Sequence, residues 1–329
     1  MNKKHFLLKL LILCIIFVFI FKSVNVSETI KIISKINLVY FFLSLLLNNI
    51  SNVFLTIKWY RLSIPLKIKS SFIELLQLHY ISIFYSIFLP GQSSGELIKG
   101  LKLSRREGAV QKVWVPIFID KITNLLITVI IGFAAILSDN RFRQNTSLVF
   151  IIFLLTIFLI FLTAIFFSEK TAYFTNFLKD SLIRFLQIFK IEFKFLKNFS
   201  IDYFENYKKH DLLMFETILW SWVVKLPHIF ATLFLALSLN INLSFIQSAW
   251  LFSIVSIVSL LPISFSGLGV REGTVLVLLS QIGVPNSASL SLSMLIFTAG
   301  IITGLIGGIV ELFSGFKTEA KNHKNQQKA

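Results

Sequence analysis

Apolar positions in this chain are gathered into long unbroken blocks, and the polar positions into short basic segments between them. The blocks at 38–57, 113–137, 147–167, 212–238 and 287–313 each reach the length of about 20 residues that a helix needs to cross a bilayer. Met1 to Lys9 is basic and Leu10 to Phe21 apolar, with no small-x-small cleavage site after Lys22, which predicts an uncleaved signal-anchor helix. Two more apolar segments, 72–90 and 246–262, each run into a Leu-Pro pair followed by Ser and Gly. Asn48, Asn49, Ser51 and Asn52 give the span at 38–57 a polar stripe that should face other helices.

The two Leu-Pro sites organise the rest. Leu261-Pro262-Ile263-Ser264-Phe265-Ser266-Gly267-Leu268-Gly269-Val270-Arg271 matches Leu89-Pro90-Gly91-Gln92-Ser93-Ser94-Gly95-Glu96-Leu97-Ile98-Lys99 without a gap. Both read Leu-Pro, three residues, Ser-Gly, three residues, a base. A membrane helix cannot pass straight through such a stretch. The freed backbone groups cost several kcal/mol each in hydrocarbon unless protein or a water-filled cavity satisfies them. Interrupted segments at corresponding places in two halves point to a transporter-type site at a repeat interface.

Charge placement sets the expected topology. If both Leu-Pro segments are re-entrant and both termini lie inside, 24 of the 32 Lys and Arg residues fall on the cytoplasmic side. Five, Lys22, Lys31, Lys35, Arg141 and Arg143, fall outside, and Lys121, Lys225 and Arg271 lie within apolar segments. The expected fold is therefore all-α, a polytopic membrane protein with six full spans plus two re-entrant hairpins in an inverted-topology repeat. Its parts are a signal-anchor helix and outer loop (1–37), a first membrane half (38–167) with hairpin 72–104, and a basic cytoplasmic amphipathic loop (168–211). A second half (212–313) with hairpin 246–283 and a basic cytoplasmic tail (314–329) follow. The hairpin tips are Pro90 and Gly95 in the first half, and Pro262, Gly267 and Gly269 in the second. In the last span Gly300, Gly304 and Gly308 share one face and predict close packing within the protomer.

Composition agrees: 55% of residues are hydrophobic, 36 are Phe, and mean hydropathy is +0.79. The net charge of +16 sits in loops between spans, as topology determinants and anionic-lipid contacts do, so no nucleic-acid partner is expected. One cysteine, Cys14, and five scattered histidines offer no metal-ligand spacing. The Gly267-x-Gly269 stretch lacks GxGxxG spacing, and neither GxSxG nor a P-loop occurs. No catalytic residue and no cofactor is expected, and the chain is read as a non-enzyme.

The intramembrane charges fall in three groups: Glu96 with Lys99, Asp120 with Lys121, and Arg271 with Glu272. Lone charges at such depth cost roughly 2.5–3.5 kcal/mol each on insertion scales, so they should pair, here across hairpins and spans, or face water. At these residues the chain resembles the transmembrane domain of lysylphosphatidylglycerol synthases and their stand-alone, flippase-like relatives. Pro262 through Gly267-Leu268-Gly269-Val270-Arg271-Glu272 is close to that family's signature. Pro90 through Gly95-Glu96 and on to Arg105-Arg106-Glu107-Gly108 is similar but weaker. Lys99 stands where the family pattern has Arg, and Asp120-Lys121 where it has Glu-Arg; both changes keep charge but lose the planar guanidinium.

The resemblance spans approximately residues 5–315 and implies movement of a phospholipid between leaflets. Past residue 313 only a short basic tail is read, so no soluble aminoacyl-transferase domain is expected. The reading is a lipid flippase or transporter of the inner (cytoplasmic) membrane. Arg271, Lys99 and Lys121 would contact phosphate, and Glu96, Asp120 and Glu272 would pair with them or take a cationic headgroup. Ser94 and Ser266 would donate to phosphate oxygens. The alternative is a non-transporting membrane partner of an envelope-lipid or glycan-assembly enzyme. It predicts that neutralising Arg271 or Glu272 harms folding or assembly alone.

Overall fold

The structure is a computed structural model that describes residues 26–89, 94–108, 110–143, 211–260 and 267–326, with isolated positions between 150 and 207. The expected signal anchor, most of the 147–167 span and the amphipathic stretch of the 168–211 loop lie outside the described residues, as do tip residues Pro90 and Pro262 and the hydroxyl of Ser266.

All the described elements are helices: α1 (Val26–Ser34), α2 (Leu38–Ser63), α3 (Phe72–Phe88), α4 (Ser94–Glu107), α5 (Val110–Ser138), α6 (Asn140–Arg143), α7 (Asp211–Ser238), α8 (Phe245–Ser259), α9 (Val270–Ser280) and α10 (Asn286–Gln326). Four contain stretches long and apolar enough to cross a membrane: Leu38–Ser63, Lys112–Ser138, Leu212–Ser238 and Asn286–Phe313. By contrast α3 and α8, of 17 and 15 residues, reach only about 22–26 Å, short of a hydrocarbon core of about 30 Å. The chain is thus a polytopic, all-helical membrane protein.

Local sequence sets the helix starts. Asn37 caps α2 by accepting from the Val39 and Tyr40 amides. Ser71 with Glu74 and Ser244 with Gln247 form capping boxes at the heads of α3 and α8, the corresponding helices of the two halves. Proline occurs inside two spans, Pro116 in α5 and Pro227 in α7. In the turn that Pro227 interrupts, the Ser51 hydroxyl of α2 donates to the Val224 carbonyl at 2.6 Å. A neighbouring helix thereby serves backbone that the proline has disturbed.

Packing follows a crossed pattern. α2 lies along α7, α3 along α10, and α8 along α5. The short helix of each half therefore rests on the long helix that follows the Leu-Pro motif of the other. Lipid tails provide no hydrophobic drive between helices, so close backbone approach must supply contact instead. A β-carbon added at Gly307 of α10 would lie 1.9 Å from the Tyr80 carbonyl oxygen of α3, and one at Gly132 of α5 would lie 2.9 Å from Ser253 of α8. Of the expected glycine face, Gly304 and Gly308 are close-packed, as is Gly307 beside them, whereas a β-carbon at Gly300 would meet nothing within 4 Å. A core of Ile127, Ile131, Ile229, Trp250, Leu279 and Leu292 joins α5, α7, α8, α9 and α10. Phe42, Leu46, Phe215, Leu305 and Ile309 point outward, as lipid-facing residues do.

The span expected to end at residue 57 continues as helix to Ser63. Lys58, counted above with the cytoplasmic loop, is instead a fully buried residue of α2. The segment expected as an outer loop carries α1, which packs on α10.

Candidate functional site

A cavity of about 410 Å3 opens where α2, α3, α5, α7, α8, α9 and α10 converge. Leu260, the last described residue before the second Leu-Pro, lines it, as does Gly300, whose missing side chain leaves the space open. Among the described residues its charged lining is Lys121 of α5, Lys225 of α7 and Arg271 of α9, with no carboxylate.

Arg271 is 7% exposed and Glu272 5%, and the two pair directly. The Arg271 guanidinium also donates from Nε to Ser293 Oγ at 3.3 Å and stacks over the Phe297 ring at 4.8 Å. Glu272 has a second task. Its Oε2 accepts from the Gly269 amide, closing the turn that starts α9. That turn needs φ of +78° at Gly267 and +81° at Gly269, values that side-chain-bearing residues rarely adopt. The signature thus fixes backbone and charge together: glycines make the turn, and the glutamate that caps it also holds the arginine.

The corresponding residues of the first half behave differently. α4 is already helical at Ser94, and a β-carbon at Gly95 would sit 2.2 Å from the Ser82 carbonyl oxygen, so this tip is packed hard against α3. The Ser94 hydroxyl is buried without a partner. Lys99, 1% exposed, pairs with Glu96 at 2.7 Å and lies over the Trp59 ring at 4.3 Å. Neither Lys99 nor Glu96 lines the cavity.

Asp120 is held by Lys58 at 3.0 Å, the two side chains being 5% and 0% exposed. All three Lys58 donors are engaged, through Asp120 Oδ1, the Asp120 carbonyl at 3.3 Å and Thr123 Oγ1 at 2.8 Å. Asn124 donates to the same carboxylate at 3.0 Å. Lys121, next in sequence, points to the cavity instead. Expected pairing across hairpins and spans is therefore realised only by Lys58–Asp120 among the three groups; Glu96–Lys99 and Arg271–Glu272 pair within their own helices. Adjacent acid and base on one helix satisfy each other at no cost in reach, which is why the local pairs form.

The polar stripe of α2 faces its neighbours as expected. Asn48 accepts from His228 Nδ1 at 2.7 Å, Asn49 from the Tyr80 hydroxyl at 2.8 Å, and Asn52 from His79 Nε2 at 3.2 Å. His228 also stacks on Phe252 and lines the cavity. Among the described residues Lys121 and Lys225 make no ion pair or hydrogen bond; Lys225 has the Phe252 ring at 5.8 Å. Lys225 and His228 were not singled out as site residues from the sequence, although Lys225 stood out as a charge inside an apolar segment.

A helical bundle with short helices ending beside a cavity lined by basic residues defines a class: polytopic, all-helical membrane proteins with a polar interior. The comparisons give the family. The chain matches the lysylphosphatidylglycerol synthase TM region over residues 6–308, and it belongs to that family. It is similar to the UPF0104 membrane protein PH1989 of Pyrococcus horikoshii, with 23% identity over 305 residues covering 88% of this chain and 91% of that protein. No solved structure matches the chain.

Proposed function

We propose that this protein moves a phospholipid, or a lipid-linked headgroup, between the leaflets of the inner membrane. The observation that carries the reading is the cavity: Lys121, Lys225 and Arg271 converge inside apolar segments with no carboxylate in the lining. Intramembrane charges that face a cavity mark substrate pathways. Family membership supports a lipid-related role.

The architecture suited to that task is six spans plus two re-entrant hairpins, α3–α4 and α8–α9, in an inverted repeat. In its favour stand the short lengths of α3 and α8, their matching capping boxes, and the exchange of partners in which α3 meets α10 as α8 meets α5. Both termini would be cytoplasmic. Within this reading Lys121, Lys225 and Arg271 contact the phosphate, and Glu272 holds Arg271 ready. Ser94, at the head of α4, and Ser266 of the second motif serve the same path. Glu96–Lys99 and Asp120–Lys58 brace the walls. Nothing in this cycle requires a catalytic residue.

The test is leaflet exchange of labelled phospholipids in proteoliposomes, comparing wild type with Lys121→Ala and Arg271→Ala at equal folded yield. Exchange above protein-free liposomes that both substitutions reduce at least tenfold is the expected result. Absence of exchange with anionic, zwitterionic and aminoacylated lipids, from demonstrably folded protein, would overturn transport and favour the non-transporting partner of an envelope-lipid or glycan-assembly enzyme.

A further inference from the structure

We infer that the cavity selects a lipid whose headgroup is a phosphate dianion without an amine, a phosphomonoester or diphosphate, over zwitterionic and aminoacylated headgroups. The inference rests on the same cavity that the transport reading uses, and specifies its ligand.

Fixed charge decides the matter. The charge of Arg271 is cancelled by Glu272, on which it is already paired. Lys121 and Lys225 remain, on two different helices, without an ion pair or hydrogen bond among the described residues. Among the described residues the acids of the three intramembrane groups are taken: Glu96 by Lys99, Asp120 by Lys58 and Glu272 by Arg271. The connections that follow Leu89 and Leu260, residues 90–93 and 261–266, contain no Asp or Glu, so they cannot supply one. Asn124 Oδ1, a buried acceptor of a lining residue with no partner, is neutral. As a neutral acceptor it cannot neutralise an ammonium.

A headgroup amine entering this space would meet two like charges and no carboxylate among the described lining residues, the arrangement by which sites reject wrong ligands. A phosphomonoester carries about −1.5 to −2 charge near neutral pH and offers strong acceptors to both lysines. Two ammonium groups in low dielectric are unfavourable until an anion joins them, so the match favours the doubly charged headgroup over a singly charged phosphodiester. The result runs against the ligand that the family's name suggests: lysylated phosphatidylglycerol carries the wrong charge for these walls.

Binding decides it, measured on the full chain in phosphatidylcholine nanodiscs with fluorescent phosphatidic acid, phosphatidylglycerol, phosphatidylethanolamine and lysyl-phosphatidylglycerol. Phosphatidic acid is expected to bind about tenfold or more tighter than the others, with the lysylated lipid weakest. Lys121→Gln and Lys225→Gln should each lower its affinity about tenfold while leaving phosphatidylethanolamine unchanged. Gly300→Leu keeps every charge and fills space where a side chain meets nothing, and should lower binding of all four. Equal affinities, preference for an amine-bearing lipid, or phosphatidic acid binding that neither lysine variant changes would overturn the inference. Inorganic phosphate, run as competitor, should displace the lipid only weakly; displacement at the lipid's own concentration would overturn the lipid source in favour of the free anion. Leaflet exchange of the same four lipids separates the two claims. Exchange without headgroup order overturns this inference alone, and ordered binding without exchange overturns transport alone.

Discussion

Lys58 and Asp120 allow the sharpest test of how the interior is held. Lys58→Met removes the charge and all three hydrogen-bond donors from a site that is 0% exposed, leaving the Asp120 carboxylate with Asn124 alone at 3.0 Å. Breaking a buried ion pair by deleting one partner costs about 3–5 kcal/mol, because the survivor keeps its desolvation penalty and loses its counter-ion. Removing both charges abolishes that penalty. In Lys58→Met/Asp120→Leu the remaining cost is the orphaned Asn124 amide and the lost Lys58 donation to Thr123 Oγ1, whose own hydroxyl still donates to the Ile119 carbonyl, about 1 kcal/mol each. The double variant should therefore be more stable than Lys58→Met by about 2 kcal/mol, a coupling far outside the additivity of independent sites. Reversible unfolding in mixed micelles, titrated with sodium dodecyl sulfate, reads all four proteins of the cycle. A single Lys58→Met within 1 kcal/mol of wild type, or a double variant that merely sums the singles, would refute the reasoning.

Further outcomes follow from the same geometry. Gly307→Leu drives a side chain into the Tyr80 backbone and should cost at least about 3 kcal/mol in the same assay, whereas Gly300→Ala should be neutral or stabilising by roughly 0.5–1 kcal/mol. Glu272→Gln removes the buried partner of Arg271 and disturbs the cap on Gly269, with an expected loss of about 3 kcal/mol by unfolding titration. Topology is read by a membrane-impermeant thiol reagent on intact cells in a Cys14→Ser background. Asn242→Cys, exposed between α7 and α8, should label directly, and Lys69→Cys, exposed between α2 and α3, only after permeabilisation. Labelling of both from one side would refute the inverted arrangement.

Much of the bundle was legible because its signals are rare residues in apolar surroundings. The ends of the spans at 212–238 and 287–313, the inward polar stripe of α2 and the Gly-rich turn before Arg271 all follow from pattern. The cavity was legible only in part. Lys121 and Arg271 line it, yet Lys58 was hidden by its position at the end of an apolar block, where a base reads as loop until the helix is known to run one turn further. Pairing was illegible for a simpler reason. Sequence places Asp120 beside Lys121, but neighbours on a helix point about 100° apart, and the partner of Asp120 lies on α2, 62 residues away. The first motif aligns with the second without a gap, yet its glycines serve differently: Gly95 serves close packing on α3, while Gly267 and Gly269 serve a turn.

The exchange of partners between halves also has a consequence for biosynthesis. α3 emerges from the ribosome early, but the groove of α10 glycines into which it fits, from Gly304 to Gly308, is translated more than 200 residues later. At 5–20 residues per second that is a wait of roughly 10–40 s. During it a helix too short to span the bilayer, carrying Asn-bonding Tyr80 and His79, has α2, α4 and the start of α5 as shelter. A helix made long after the first hairpin is thus the one that locks it in place. Nascent chains stalled before Gly304 should hold α3 in a protease- and thiol-accessible form that full-length protein does not show.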